Sequence, residues 1–240
     1  MLTVGSLFSG IGGLDLGLER AGMTVRWQSE IDDYASRVLA KHWPGVTNHG
    51  NIKEIDWSTV EPVDVVCGGY PCQPFSTAGK RRGEDDPRHL WPWVRQAISE
   101  LRPRYAVLEN VRGHLSLGGT SVIGELASIG YDAEWRVVSA ASVGANHRRD
   151  RLIIVAYPQR ERYGQRRCAT DSDAQSKRWV FDDGRETANV CGSWWENQPS
   201  VGRVADGVPN RVDRLRGLGN AVVPQVAEVI GRMVVAHAVG

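Results

Sequence analysis

The sequence predicts an α/β fold in which an open, mostly parallel sheet carries helices on both faces. Short apolar stretches alternate with helix-like stretches over the first two-thirds of the 240 residues, a pattern typical of βαβ units. Glycine-rich or polar turns follow the apolar stretches. Ligands bind outside the carboxyl ends of strands in open α/β sheets, so these turns are the candidate functional loops.

The predicted elements follow one another in a regular order. Strands are predicted at residues 2–8, 24–29, 63–67, 105–108, 133–140 and 151–156. Helices are predicted at residues 14–21, 32–41, 91–101 and 121–129, with a last one over 222–238. Gly22 ends the first helix, and Pro44 with Gly45 ends the second.

The alternation breaks at Pro158. Residues 158–202 are polar, rich in arginine and without a clear period. We therefore expect a core over residues 1–157, a short variable insert over 158–202, and a C-terminal segment over 203–240 that returns to the core.

Composition excludes several classes of protein. With 41% hydrophobic and 24% charged residues, the chain can bury a core and does not resemble a disordered protein. The sequence contains no run of eighteen apolar residues, so it does not predict a membrane span. The N-terminus lacks the features of a signal peptide. The spacing of the four cysteines fits neither a zinc site nor a disulfide framework. We therefore expect no metal and a reducing, cytoplasmic setting.

The net charge of +1 conceals an asymmetry. Residues 1–135 carry 13 basic against 17 acidic residues, whereas residues 136–240 carry 16 against 11. Of the 29 basic residues, 25 are arginine, which suits bidentate contacts to phosphates and base edges. A GC-rich coding sequence gives the same excess, so charge permits a nucleic-acid partner without requiring one.

The first candidate loop is Phe8-Ser9-Gly10-Ile11-Gly12-Gly13-Leu14. Its glycines allow positive φ and close approach to a ligand, although their spacing differs from the dinucleotide-binding pattern. Glu30 ends the second predicted strand, where a carboxylate can bind both ribose hydroxyls of a nucleoside. A tight turn beside a solvated glutamate explains these residues equally well.

The second candidate loop contains Cys72, which lies just beyond the third predicted strand between Pro71 and Gln73. A thiolate is a nucleophile, and electropositive surroundings favour it. Basic residues follow in the same segment: Lys80, Arg81 and Arg82. The alternative is a buried structural cysteine, which we expect for Cys67.

Two further loops carry charge. Glu109 emerges from the fourth predicted strand and could act as a general acid towards a ring nitrogen. Arg149 and Arg151 alternate at the start of the last predicted strand, and together they could grip a phosphate and a base carbonyl. A surface glutamate and a solvated basic strand start are the alternatives.

Taken together and in this order, these four pieces resemble the DNA (cytosine-5) methyltransferase family. The resemblance covers most of residues 2–156 and again 217–230, where Gly219-Asn220-Ala221-Val222-Val223-Pro224 is similar to the family's last motif. It implies a Rossmann-like fold dependent on S-adenosylmethionine, with a small, irregular target-recognition insert. The implied cofactor-binding residues are Phe8, Gly10, Gly12, Leu14, Glu30, Ile31, Asn51, Ile52, Pro71, Asn220 and Val222.

The resemblance also implies a chemistry. The Cys72 thiolate would attack carbon 6 of a flipped cytosine, Glu109 would hold the ring nitrogen and amine, and Arg149 and Arg151 would steady the target nucleotide. The partner would be double-stranded DNA, bound by a monomer at a short recognition sequence in a bacterial or phage-infected cell. The resemblance also allows a cognate restriction endonuclease in the same system. The implied DNA contacts are Gln73, Ser76, Lys80, Arg81, Arg82, Arg166, Arg167 and Arg178.

The sequence departs from the family in three places. His147 stands where the family has a glutamine, the Arg-x-x-x-Pro-Arg-Glu motif has no good match, and the insert is short. Two other readings stay open: a tRNA cytosine-5 methyltransferase and a catalytically silent DNA-binding relative. A nicotinamide oxidoreductase is disfavoured by the glycine spacing.

Overall fold

The computed structural model describes residues 1–71, 90–116, 118–159 and 211–239. The strands of this part are β1 (Thr3–Leu7), β2 (Thr24–Ser29), β3 (Thr47–Asn48), β4 (Val65–Gly69), β5 (Tyr105–Val111), β6 (Tyr131–Val138) and β7 (Arg151–Pro158). The α-helices are α1 (Gly13–Arg20), α2 (Asp33–His42), α3 (Trp91–Leu101), α4 (Gly119–Ser128), α5 (Arg211–Asn220) and α6 (Pro224–Val239).

The strands form one sheet in the order β3-β2-β1-β4-β5-β7-β6. Neighbours from β3 to β5 are parallel, whereas β7 runs antiparallel to both β5 and β6. The start of β7 therefore lies beside the end of β5, with Arg151 opposite Val111 and Ile153 opposite Glu109. Consequently β7 begins at the same edge where β1, β2, β4 and β5 end.

Side chains along the central strands alternate between two buried clusters, because successive residues of a strand point to opposite faces. On β5, Tyr105 and Val107 belong to one cluster, and Ala106 and Leu108 to the other. The first cluster includes residues of α1 and α6, and the second includes residues of α3 and α4. The predicted α/β fold with helices on both faces of a mostly parallel sheet is confirmed.

The C-terminal helix α6 packs closely against α1. A Cβ atom at Gly17 would lie 2.3 Å from the Pro224 carbonyl oxygen, and one at Gly231 would lie 2.6 Å from Ala21 Cβ. By length and composition the segment Val212–Val239 could cross a membrane, which the residue pattern did not predict. In the structure this segment forms two helices, and the buried face of α6 packs on α1 as a core helix does.

Several element boundaries differ from those predicted. Strand β5 continues to Val111, so Glu109 lies within a strand rather than in a loop. Neither β3 nor α5 was predicted. Strand β3 has only two residues, and α5 contains Gly217 and Gly219, which have poor helix propensity. Gly217 does lie close to the loop after β1, since a Cβ atom there would be 3.0 Å from Ile11 Cγ2.

The close packing of α1 on α6 predicts opposite effects for two Gly→Ala substitutions. Gly17→Ala should lower the free energy of unfolding by about 1–3 kcal/mol, because a methyl group there overpacks the interface. Gly124→Ala should raise it by up to about 1 kcal/mol, because Gly124 lies within α4 with no atom close to the added Cβ. Chemical denaturation measures the free energy of unfolding of both variants. Equal changes in the two variants would contradict the close packing of Gly17 against α6.

Candidate active site

The predicted site residues that the structure describes gather at the carboxyl edge of the sheet. The glycine loop after β1, here residues 8–12, lies beside Glu30 at the end of β2. Glu109 near the end of β5 lies beside Arg151 at the start of β7. The predicted residues Cys72, Gln73, Ser76, Lys80, Arg81, Arg82, Arg166, Arg167 and Arg178 lie outside the described residues, as does most of the 158–202 insert.

The glycine loop has a strained, tight backbone. Phe8, Gly10 and Gly12 have positive φ values of 51°, 55° and 82°, and the Gly12 N–H donates to the Ser9 carbonyl. A Cβ atom at Gly12 would lie 2.4 Å from the Trp43 ring, whereas one at Gly10 would come no closer than 4.0 Å to another atom, the Phe8 carbonyl oxygen. Glycine at position 10 is therefore required by conformation, and this side of the loop leaves room for a ligand.

Glu30 is held in place by the backbone around it. One carboxylate oxygen accepts a hydrogen bond from the Gly10 N–H at 2.8 Å, and the other accepts from the Asp32 N–H at 2.8 Å. Asn48 bonds both the N–H and the carbonyl of Glu30. The negative charge at the end of β2 is therefore fixed beside the glycine loop.

An open pocket of about 530 Å³ lies between α2 and α5, next to Glu30. The side chain of Ile31 at its edge is 69% exposed, which presents an apolar surface for a flat ring. The pocket is lined by Ile31, Asp32, Asp33, Tyr34, Arg37, Asp213 and Arg216.

Three predicted cofactor residues have structural surroundings of their own. Leu14 and Ile52 are buried, each in one of the two core clusters, so their side chains pack beneath the loops of the site as part of the core. Asn51 caps a short 3-10 helix (Ile52–Glu54), accepting from the Lys53 N–H and donating to Glu54.

Glu109 is a buried carboxyl with a cationic partner. Its Oε1 accepts from Arg151 Nε at 2.8 Å, and a Cβ atom at Gly69 would lie 2.8 Å from its Oε2. Burial raises the pKa of Glu109 above its ordinary value, while the charges of Arg151 and Arg149 act against that rise. A carboxyl with a raised pKa can carry a proton and donate it to a base.

Asn110 is a site residue that the sequence reasoning passed over, although it follows Glu109 directly. Its side-chain amide donates to the Tyr70 carbonyl at 3.1 Å, and the Tyr70 hydroxyl lies 2.8 Å from His114 Nε2. Both bonds are buried. They fix the backbone two residues before Cys72, so Asn110 positions the entry to the second candidate loop.

Arg149 and Arg151 bind different partners. Whereas Arg151 pairs with Glu109, Arg149 Nη2 donates to the carbonyl oxygens of Gly219 and Ala221, each at 2.7 Å. Arg149 itself has a positive φ of 38°. His147, which replaces the family's glutamine, is exposed.

Asp15 is a second residue that the sequence reasoning missed, although a carboxylate between Leu14 and Leu16 of α1 was a visible signal. It is fully buried and accepts from Ser6 Oγ at 3.0 Å and from Gln28 Nε2 at 2.8 Å. Ser9 Oγ in turn donates to Ser6. Asp15 thus connects β1, β2 and the glycine loop.

Burial shifts the titration of this polar cluster. It raises the pKa of Asp15 to about 6, although the bonds from Gln28 and Ser6 oppose the rise. It also raises the pKa of the nearby Cys67 thiol, which is buried and free, as expected of a structural cysteine. Among the residues that the structure describes, no three His, Cys, Asp or Glu side chains are grouped as metal ligands.

Comparison with known proteins places this arrangement in context. Residues 2–200 match the model of a family described as C-5 cytosine-specific DNA methylase. The type II methyltransferase M.NaeI of Lentzea aerocolonigenes is 38% identical over 65% of this chain and 40% of the relative. The type II methyltransferase M2.BsuMI of Bacillus subtilis is 34% identical over 87% of this chain and 55% of the relative. The chain thus spans about half of these relatives' length or less.

A similar fold is found among solved structures. A mutant of Spodoptera frugiperda DNMT2 superposes with a TM-score of 0.57 and 23% identity, over 66% of this chain and 50% of that chain. Together with the family match, this likeness supports a Rossmann-like methyltransferase fold, as the sequence predicted.

Because the buried Asp15 carboxyl has a raised pKa, we expect the free energy of unfolding to depend on pH. Replacing Asp15 by asparagine should remove this dependence. Between pH 3.8 and about 6 the folded protein retains a proton that the unfolded chain has lost. This contribution is complete below pH 3.8 and is lost as the pH rises through about 6. A shift of about two units corresponds to about 3 kcal/mol. The free energy of unfolding of Asp15→Asn, compared with that of the wild type at the same pH, should therefore rise by up to about 3 kcal/mol as the pH is raised from about 4 to about 8.

Denaturant titrations across this pH range measure the effect. Asp33→Asn, at an exposed carboxylate of α2, is the matched control and should show a much smaller change. The assignment is refuted if the stability difference between Asp15→Asn and the wild type does not change with pH.

Proposed function

Because the chain belongs to the C-5 cytosine-specific DNA methylase family, we propose that it transfers a methyl group from S-adenosylmethionine to carbon 5 of cytosine in a short sequence of double-stranded DNA. The observation that carries this proposal is the buried Glu109, held by Arg151 directly beside Gly69. Three residues after Gly69 stands Cys72. This chemistry requires an acid and a nucleophile; Glu109, whose pKa is raised by burial, is proposed as the first and Cys72 as the second.

The glycine loop and its neighbours fit S-adenosylmethionine. A Cβ atom at Gly10 would meet only the Phe8 carbonyl oxygen, at 4.0 Å, so the chain is not crowded there. The fixed carboxylate of Glu30 can accept ribose hydroxyls, and the exposed Ile31 can cover the adenine. When bound, the cofactor supplies a methyl group made electrophilic by its sulfonium. The residues proposed to hold it are Phe8, Gly10, Gly12, Leu14, Glu30, Ile31, Asn51, Ile52, Pro71, Asn220 and Val222.

Cys72 and Glu109 are proposed to act on opposite sides of the target ring. The thiolate adds to carbon 6, and electron density moves towards carbon 5 and the ring nitrogen. Glu109 holds a proton at that nitrogen and accepts from the exocyclic amine, so the developing charge is neutralised. After methylation, a base takes the proton from carbon 5, the bond between carbon 6 and sulfur breaks, and Cys72 leaves as a thiolate. Arg151 holds the Glu109 carboxylate in one orientation at 2.8 Å.

The target cytosine must leave the duplex, at a cost of a few kcal/mol. The proposed DNA contacts come from the loop after Pro71 and from the insert: Gln73, Ser76, Lys80, Arg81, Arg82, Arg166, Arg167 and Arg178. We expect monomeric action on a site of about two to four base pairs, since a flipped base requires only one face of the duplex. Relatives named as type II methyltransferases of bacteria favour a bacterial cytoplasm and a cognate restriction endonuclease.

The decisive experiment is to incubate the protein with unmethylated genomic DNA and labelled S-adenosylmethionine, and to map 5-methylcytosine by conversion sequencing. Methylation at one short sequence, absent with Cys72→Ala, is the expected result. Intact cofactor binding without DNA methylation would instead favour an RNA substrate or a silent DNA-binding relative, and transfer to tRNA separates these two.

Glu109→Gln should reduce the rate of methyl transfer by about 10²–10⁴-fold, because an amide N–H is not acidic enough to transfer a proton to the ring nitrogen. Single-turnover assays with DNA measure this rate. Glu100→Gln is the matched control, since Glu100 is exposed on α3, and should leave the rate unchanged. A wild-type rate in Glu109→Gln would remove Glu109 from the mechanism.

Glu30→Ala should weaken cofactor binding by about ten- to a hundredfold, because hydrogen bonds to a charged group contribute about 1.5–3 kcal/mol. Isothermal titration with S-adenosylhomocysteine measures the affinity, and Glu100→Ala serves as the control. If the variant loses affinity for DNA more than for the cofactor, the ribose assignment is wrong.

A further inference from the structure

The guanidinium of Arg149 holds a distant part of the chain. Its Nη2 donates to the carbonyls of Gly219 and Ala221, both at 2.7 Å and about 70 residues away in sequence. Hydrogen bonds from a charged donor are stronger than neutral ones. Arg149 therefore ties the start of β7 to the end of α5 and the turn that follows it.

The two carbonyls enclose Asn220, and the next residue, Val222, touches the start of α1. A Cβ atom at Gly13 would lie 2.4 Å from the Val222 carbonyl oxygen and 3.1 Å from its nitrogen. One turn earlier on α5, Gly217 packs against Ile11 of the glycine loop, with 3.0 Å between a Cβ there and Ile11 Cγ2. Gly217 thus lies against Ile11 of the glycine loop and Val222 against Gly13 at the start of α1, and Arg149 bonds the carbonyls of two residues between them, Gly219 and Ala221.

The hydrogen bonds of the Arg149 guanidinium go to Gly219 and Ala221 and not to Glu109, on which Arg149 acts only through its charge. The ion pair with Glu109 is made by Arg151 Nε. Arg149 Nε is buried and has no hydrogen-bond acceptor among the described residues, and burial lowers the pKa of Arg149. Removing a guanidinium partly from water costs free energy. The bonds to the Gly219 and Ala221 carbonyls offset part of this cost, and we therefore assign the position of Arg149 to them.

We propose that Arg149 is a positioning residue of the cofactor pocket: its guanidinium holds the carbonyls of Gly219 and Ala221 and keeps Asn220 and Val222 against the glycine loop. This inference rests on the proposed function, because it takes the glycine loop as the S-adenosylmethionine site. It differs from a role in gripping the target nucleotide, because it requires Arg149 for cofactor binding when no DNA is present.

The test is titration of the full chain with S-adenosylhomocysteine in the absence of DNA. Arg149→Met keeps the length of the side chain but removes its donors, and should weaken binding by about tenfold or more. Arg149→Lys retains a charged donor and should recover most of the affinity. Arg148→Met, at the exposed neighbouring position, is the matched control and should bind as the wild type does.

Circular dichroism and thermal unfolding are recorded for every variant, and titrations are run where all are folded. If Arg149→Met does not fold, Arg149→Gln replaces it: reduced cofactor affinity in this folded variant supports the proposal, and wild-type affinity overturns it.

Two results with folded Arg149→Met overturn the proposal. A lower melting temperature with unchanged cofactor affinity would show a merely structural residue. Unchanged cofactor affinity with weaker binding of duplex DNA would assign Arg149 to the target nucleotide. If the wild type itself binds no S-adenosylhomocysteine, the proposed function fails first and this inference falls with it.

Discussion

The site depends on the reversed direction of β7. Had β7 run parallel to β5, its first residues would lie at the opposite edge of the sheet, far from the end of β5. Because it is antiparallel, Ile153 pairs with Glu109, and Arg151 reaches the Glu109 carboxylate at 2.8 Å. The same reversal brings Arg149 to the carbonyls of Gly219 and Ala221, so one strand start serves both halves of the site.

Glycines allow the backbone segments of this edge to meet. Gly13 admits the Val222 backbone, Gly17 admits Pro224, and Gly69 leaves room for the Glu109 carboxylate. At each position a Cβ atom would come closer than side chains normally pack. The glycines of the family's motifs therefore act in two ways: some give the loop its positive φ, and others let distant segments touch.

Much of the fold was predictable because it follows from local patterns. Helix α3 and strand β2 have the bounds that their apolar spacing predicted, and the parts of the candidate loops that the structure describes lie at one edge of the sheet. Long-range contacts were not readable. The alternation of Arg149 and Arg151 predicted a shared face, yet the left-handed backbone at Arg149 and the carbonyls beyond the insert give the two side chains different partners. Helix α5 was missed because it contains Gly217 and Gly219, which have poor helix propensity.

Buried charge at the site has a structural as well as a chemical consequence. Asp15 and Glu109 both lie out of water, and burial raises the pKa of each. Such groups are costly, and this cost is partly offset by fixed donors: Ser6 and Gln28 for one, Arg151 for the other. Asp15 on α1 bonds Ser6 of β1 and Gln28 of β2, and Glu109 of β5 bonds Arg151 of β7, so each carboxyl connects two neighbouring strands. The two buried carboxyls therefore fix the strand ends that carry the candidate site, and the proposed transition-state stabilisation would require such preorganisation.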